Sequence, residues 1–440
     1  MSLISALGVN AAMASPMVAF CTQDEIELGE AALQLQQLNG EMDTVNHGID
    51  RLLDHHDVVT HFADKGPDVM RLAALNLAAD MMDMGMSQNE AKLASAGLES
   101  ESVDNVGNEA WATITKAVKD LIDWAAKKLD EAIAWATKLF NKYFGAFETM
   151  KKSWEKIQKQ AESKTEMVID KDKKDAEYTR SADFYHIGDS VQTVSNLADF
   201  GKKLTVYVSN TIKLMSDKEV KEVEKEDILN AEGKRLPVDN LVTNFPRAFP
   251  SQTGINFSTL SGDDSYNRVS EQLPGRVKIF SNNRNGSEKL TGDEAYSKFL
   301  EEIKGAKISI KPAELKQKAK EKAKVSFVSA SDVASIASDQ IELLDNLIDL
   351  MRGAAMKKAD KALKSASKSL KGWNKDVPSD DAEVEEKNAY KYAVKVATAW
   401  VGYERRRFLS QPAALASYIR QYSGALATVC KDSLSAHTKP

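Results

Sequence analysis

The chain has 440 residues, enough for two or three domains that each bury a core. Aromatic residues are sparse at 7% and charged ones abundant at 28%, and Ala, Lys, Asp and Leu recur in long runs, a composition that fits a mostly helical soluble protein. Its two cysteines, Cys21 and Cys430, sit at opposite ends with no partner spacing, so neither a disulfide framework nor a zinc site is indicated.

The formal net charge of −6 hides an uneven distribution. Up to Ser100 there are 4 basic residues against 15 acidic ones, a net of −11; the rest holds 55 basic against 50 acidic, a net of +5. The change falls in a Ser, Glu, Asn and Gly stretch running from Ala96 to Asn108. An acidic leader, residues 1–99, is thus joined to a mildly basic body.

In chain order, the apolar stretch from Met1 to Phe20 lacks the positive start of a secretion signal, the first basic residue being Arg51. No later window approaches the ~18 uninterrupted apolar residues of a membrane span. From Gln23 to Arg51 and from Pro67 to Met86 the pattern is helical, with Leu28, Ala31, Ala32, Leu35 and Leu38 as one stripe. Asp54, His55, His56, Asp57 and His61 have metal-ligand chemistry but no helical i, i+4 histidine pair, and read as a solvated acidic face.

The strongest periodic signal runs from Trp111 through Val118, Leu121, Ala125, Leu129, Ala136, Tyr143, Phe147 and Trp154 to Ile157. It predicts one helix of roughly 70 Å or a pair broken near Gly145, with the aromatic stripe as a buried seam. Asp170 to Asp175 alternates acids as a calcium loop does, but its lysines and the missing sixth-position glycine make it a polar helix or turn. A further helix is expected from Phe184 through Ile187 and Val191 to Met215. This completes a first helical part of the body, residues 100–235.

Between residues 236 and 312 the helical period stops and five of the ten prolines appear: Pro237, Pro246, Pro250, Pro274 and Pro312. Alternation over Arg276 to Phe280 and Lys307 to Ile310 predicts two strands, with a helix near Glu294 to Ile303 between them, and strands are expected only in this small α+β insertion. Helices resume in a lysine-rich second part, residues 313–440. Val333 to Met351 forms one seam, Tyr390 to Phe408 the next, and Pro412 should kink or restart the last helix. The fold class is therefore mainly α: long amphipathic helices in a bundle-like body with a small α+β insertion.

Lys357, Lys361, Lys364, Lys368, Lys371 and Lys375 step by four and three, which puts them on one helix face in a row about 27 Å long, with Asp360 as its single acid. Arg405, Arg406 and Arg407 and the run from Lys316 to Lys324 add positive charge. A row of this kind neutralises phosphates without reading base sequence, and a solvated face is its plainer explanation. Motifs for catalysis are lacking: no Gly-rich phosphate loop, His-Glu-x-x-His, Cys-x-x-Cys or Gly-x-Ser-x-Gly occurs, so no enzyme chemistry and no cofactor are read from the chain.

With its acidic leader, boundary and lysine-rich helical body, the chain resembles the internal head (inner body) proteins of large phiKZ-like tailed bacteriophages. That resemblance implies an N-terminal propeptide removed by the prohead protease and a mature protein kept in the virion with packaged double-stranded DNA, beside other inner head or capsid proteins, after assembly in the host cytoplasm. Proteases of these phages resemble one another in cutting after a glutamate preceded two residues earlier by a small residue. Gly97-Leu98-Glu99, followed by Ser100, fits. Ala146-Phe147-Glu148, Gly286-Ser287-Glu288 and Gly402-Tyr403-Glu404 match as well, but only Glu99 lies at the charge boundary. Two other readings stay open: a helical interaction or toxin-type protein whose Trp111 to Ile157 face enters a membrane or partner, and an enzyme built on the 236–312 insertion.

Overall fold

In a computed structural model of the chain, α1 (Val103–Glu162) is one unbroken helix of 60 residues, about 90 Å long at 1.5 Å per residue. The structure describes residues 34–54 apart from 36, 39, 45, 46 and 52, and residues 103–438 apart from 180–181, 217–227, 230–253, 261–265, 283–294, 314–321, 374, 376 and 380–381; for 103–114, 117 and 295 only the backbone is described. Gly145 does not break α1: nothing lies within 4 Å of where its Cβ would be, and its carbonyl accepts the Thr149 hydroxyl at 2.9 Å. The expected seam is buried from Val118 through Leu129, Ala136, Phe147 and Trp154 to Ile157.

The element most extensively packed on α1 is α4 (Ala330–Arg352). Ser329 caps it, accepting from the Asp332 N–H at 3.1 Å and so satisfying one of the donors that a helix start leaves open. At the edges of the seam Lys151 meets Asp345 at 2.6 Å, and Arg352 donates to Asn141 at 2.7 Å with its guanidinium 3.8 Å over the Phe144 ring. Helix α2 (Val194–Ser216) lies along α4 as well. Gly201 permits this, because a Cβ there would stand 2.6 Å from the Gln340 amide nitrogen and 2.9 Å from the Tyr422 hydroxyl. Helix α5 (Ala354–Trp373) follows α4 after a break at Gly353 and crosses back onto α1, where the Ser367 hydroxyl reaches the Ala126 carbonyl at 3.4 Å.

Helices α6 (Val384–Arg405) and α7 (Gln411–Ser435) are joined by a π turn, Arg406–Ser410. Pro412, in the first turn of α7, brings no N–H to the ladder, and the Gln411 N–H bonds the Arg406 carbonyl five residues back. The proline thus restarts the helix through a widened turn. Helix α7 rests on α1 through Trp154, a fully buried side chain whose indole N–H donates to the Ser423 hydroxyl at 2.9 Å. Trp154→Ala is expected to cost about 3–5 kcal/mol in urea unfolding. A loss under ~1 kcal/mol would mean that this contact does not hold α1 to α7.

The insertion holds a four-stranded antiparallel sheet in the order β5 (Phe257–Thr259), β6 (Arg268–Ser270), β7 (Val277–Asn282), β8 (Lys307–Pro312), with α3 (Ala295–Gly305) between β7 and β8. The two expected strands are β7 and β8, paired from Val277 with Pro312 to Asn282 with Lys307. Helix α3 docks on α6, Tyr296 stacking on Tyr392 with ring centroids 4.1 Å apart.

Two expectations need correction. Strands also occur outside the insertion: β1 (Val168–Ile169) pairs with β10 (His437–Thr438), β2 (Asp175–Tyr178) with β9 (Ala323–Ser326), and β3 (His186–Ile187) with β4 (Ser190–Val191). These are ties of two to four residues where chain segments leaving the helices meet, and segments so short carry no period of their own. The helix expected from Phe184 starts only at Val194, since Phe184 lies in a 3₁₀ turn (Ala182–Tyr185) and Gly188, at φ +61°, turns the β3–β4 hairpin. Asp170 to Lys173 is a turn closed by a 3.0 Å bond from the Lys173 N–H to the Asp170 carbonyl, and Asp175 opens β2.

Candidate nucleic-acid interface

Helix α5 has two faces of opposite chemistry. Ala355, Met356, Ala359, Leu363, Ala366, Leu370 and Trp373 are buried, while Lys357, Lys361, Lys364, Lys368 and Lys371 are exposed. Burial at steps of three and four leaves the lysines of the complementary period to solvent. Lys375 is exposed just past the helix, its N–H bonded to the Gly372 carbonyl at 2.9 Å. Lys358, exposed beside Lys357, widens the row; the four-and-three stepping did not select it. Among the described residues two members pair with acids, Lys364 with Asp360 at 2.7 Å and Lys371 with Asp130 of α1 at 3.5 Å. Exposed pairs of this kind are worth about 0–1 kcal/mol, so a phosphate can take the place of either carboxylate.

The arginine triplet corrects the sequence reading, because it is turned inward instead of adding to the exposed charge. Arg405 is buried against Asp43 at 2.5 Å; Arg406 meets the same oxygen at 3.0 Å and donates to the Ile303 carbonyl at 2.8 Å. Arg407 donates to the Leu214 carbonyl and lies 3.6 Å from the buried Glu404. Burial draws Arg406 down to about 10 against the opposing pull of Asp43, and pushes the Glu404 carboxyl up against that of Arg407. The π turn and the burial of α6 on nearly every side put these charges inside. From the Lys316 to Lys324 run, the described Lys322 and Lys324 pair across β2 and β9 with Glu177 at 2.7 Å and Asp175 at 3.1 Å.

Asp43 belongs to the acidic leader, whose described residues between 34 and 54 are helical and seated in the body. Leu35, Leu38, Met42, Ile49 and Leu53 are buried in the same core as α1, α4 and α7. Five buried aliphatic side chains contribute on the order of 10 kcal/mol, as an upper bound. Around them Glu41 pairs with Lys128 of α1 at 3.0 Å, Asp50 with Lys304 of α3, and Asp54 with Lys395 of α6. Burial raises the Asp50 carboxyl, and Lys304 pulls it back. Sequence reasoning treated the leader as a separate charge; the apolar steps from Leu35 to Leu53 were the available signal that it also packs.

Residues Gly97, Leu98, Glu99 and Ser100 and the histidine cluster at 55–61 lie outside the described residues. Of the rival tripeptides, Ala146 to Glu148 is inside α1 and Gly402 to Glu404 inside α6, with Glu404 buried; Gly286 to Glu288 is outside the described residues. Among the described residues there is no cluster of three or more potential metal ligands, and no helix is long and apolar enough to cross a membrane. The aromatic seam of α1 packs against α4 and α7, so in this fold it is a core face.

Residues 23–432 match the phiKZ-like phage internal head proteins. The chain belongs to that family. No curated protein and no solved structure matches it. An internal head protein is a structural component that lies inside the capsid with other head components. In this internal head protein the family match begins at residue 23, so it takes in both the docked leader helix and the lysine face of α5.

Proposed function

We propose that this internal head protein is made in the host cytoplasm with an acidic propeptide, residues 1–99, that the prohead protease cuts it between Glu99 and Ser100, and that the body is packaged against double-stranded DNA. On this reading the body comprises a first helical part (100–235), the α+β insertion (236–312) and a lysine-rich part (313–440). The observation that carries the DNA contact is the lysine face of α5: Lys357, Lys361, Lys364, Lys368 and Lys371 point outward from a helix whose other face is fixed in the core, with Lys375 beyond its end. Such a row is held rigidly at the surface and needs only charge and reach to meet phosphates, which suits a protein sharing the capsid with DNA of every sequence.

The cut is supported by position. Glu99 stands where the charge changes from a net of −11 to +5, whereas Glu148 and Glu404 stand in helices that a protease would have to unwind. Mass spectrometry of the protein from purified virions is expected to find a mature N-terminus at Ser100. A virion copy that retains Met1 to Glu99 in one piece with the body overturns the processing.

A further inference from the structure

All four carboxylates among the described leader residues end on cations of the body: Glu41 on Lys128, Asp43 on Arg405 and Arg406, Asp50 on Lys304, and Asp54 on Lys395. The cations come from α1, α3, α6 and the π turn that follows it, so the described leader residues between 41 and 54 bridge three regions distant from them in sequence. Between the ion pairs, Met42, Ile49 and Leu53 are fully buried in the common core. The seat is therefore apolar at its centre and cationic at its rim.

We infer that this seat is a docking groove for an acidic amphipathic helix and that it holds the leader in trans, so that a cut after Glu99 leaves the severed leader bound to the body. The inference rests on the proposed processing and adds to it that the cut by itself does not release the leader. Cutting removes a tether, which changes only the effective concentration of the segment. It leaves the buried side chains where they are, and a separated body would expose both an apolar trough and the buried Arg405. Duplex DNA supplies charge for the rim but nothing for the trough, so the chemistry of the groove selects an acidic helix over a phosphate backbone. The severed complex keeps the charge of the intact chain, and contact with DNA falls to the lysine face of α5.

The test uses the full chain with the recognition sequence of a specific endopeptidase inserted between Glu99 and Ser100, cut in vitro and run on a sizing column. Both pieces are expected to co-elute at 0.15 M and at 1 M NaCl, to stay together with a 30-base-pair duplex in excess, and to exchange with a labelled peptide of residues 31–57. Ile49→Asp should weaken retention after cutting at least 100-fold. Asp50→Asn and Asp54→Asn together, which spare the apolar centre and the partner of the buried Arg405, should weaken it less than 10-fold and flatten its salt dependence; they keep the test open if Ile49→Asp does not fold. Separation on cutting at 0.15 M NaCl, or displacement by the duplex, overturns the inference. Because the cut is made in vitro, the result stands apart from the virion N-terminus, which alone decides the proposed processing.

Discussion

With Lys357, Lys361, Lys364, Lys368, Lys371 and Lys375 all changed to Gln, the protein will bind a 30-base-pair duplex more weakly at 50 mM salt and will lose the roughly 40-fold fall in affinity that the row contributes between 50 and 200 mM. A straight helix against a curved duplex backbone brings roughly three of its lysines to phosphates at once. Each phosphate neutralised adds about 0.9 to the slope of log affinity against log salt, so three contribute about 2.7, or about 40-fold between 50 and 200 mM. Lys and Gln have nearly equal helix propensity and all six positions are exposed, so the fold should not change. Changing Lys364 and Lys371 alone should have the smallest effect per residue, since Asp360 and Asp130 already compete for them. Equal affinity for the two proteins removes the row from the mechanism, and a loss that differs between duplex sequences would contradict contacts made to phosphate alone.

A second large effect is expected in alkali. Tyr185, Tyr207, Tyr418 and Tyr422 are buried, and burial above all holds each phenol in its neutral form beyond the ordinary value of about 10. Tyr178 is raised by burial and by the Asp432 carboxylate that accepts its hydroxyl at 2.8 Å. Most of these hydroxyls also tie α7 to its neighbours: Tyr185 donates to the Ala425 carbonyl at 2.8 Å, Tyr418 to the Pro274 carbonyl at 2.9 Å, and Tyr422 to the Leu197 carbonyl. A raised folded-state value means that the stabilisation is complete below pH ~10 and lost as pH rises towards that value, because the unfolded chain ionises first. Each group costs about 1.4 kcal/mol per pH unit above 10, so Tyr185, Tyr207, Tyr418 and Tyr422 together cost about 6 kcal/mol by pH 11, comparable with the whole stability of a domain, and Tyr178 adds a smaller, solvent-screened share. Helicity and tyrosinate absorbance should therefore change together in one steep transition near pH 11. Tyrosinate forming gradually around pH 10 with full helicity would show that these phenols are not shielded.

What could be read before folding was local. The three-and-four spacing along α1, α4 and α7 sufficed for the helices, because burying a stripe is a property of one segment. Alternation sufficed for β7 and β8, and the lysine row of α5 was legible because its apolar complement lies in the same twenty residues. The Phe184 to Val191 stretch misled for the same reason: its apolar steps imitate a helix, and the hairpin at Gly188 depends on a backbone conformation that spacing does not report.

By itself, then, the sequence determined the helical class, the insertion, the proline restart at Pro412, the exposed lysine face and the charge boundary near Glu99. Only the tertiary structure decided that Arg405, Arg406 and Arg407 are interior, that the leader shares the core of the body, and that short strands tie residue 169 to residue 437 and residue 178 to residue 323. The physical reason is the distance along the chain over which each compensation acts. An arginine can be buried only where a partner answers its charge, and the partner of Arg405 is Asp43, a residue that no window centred on Arg405 contains.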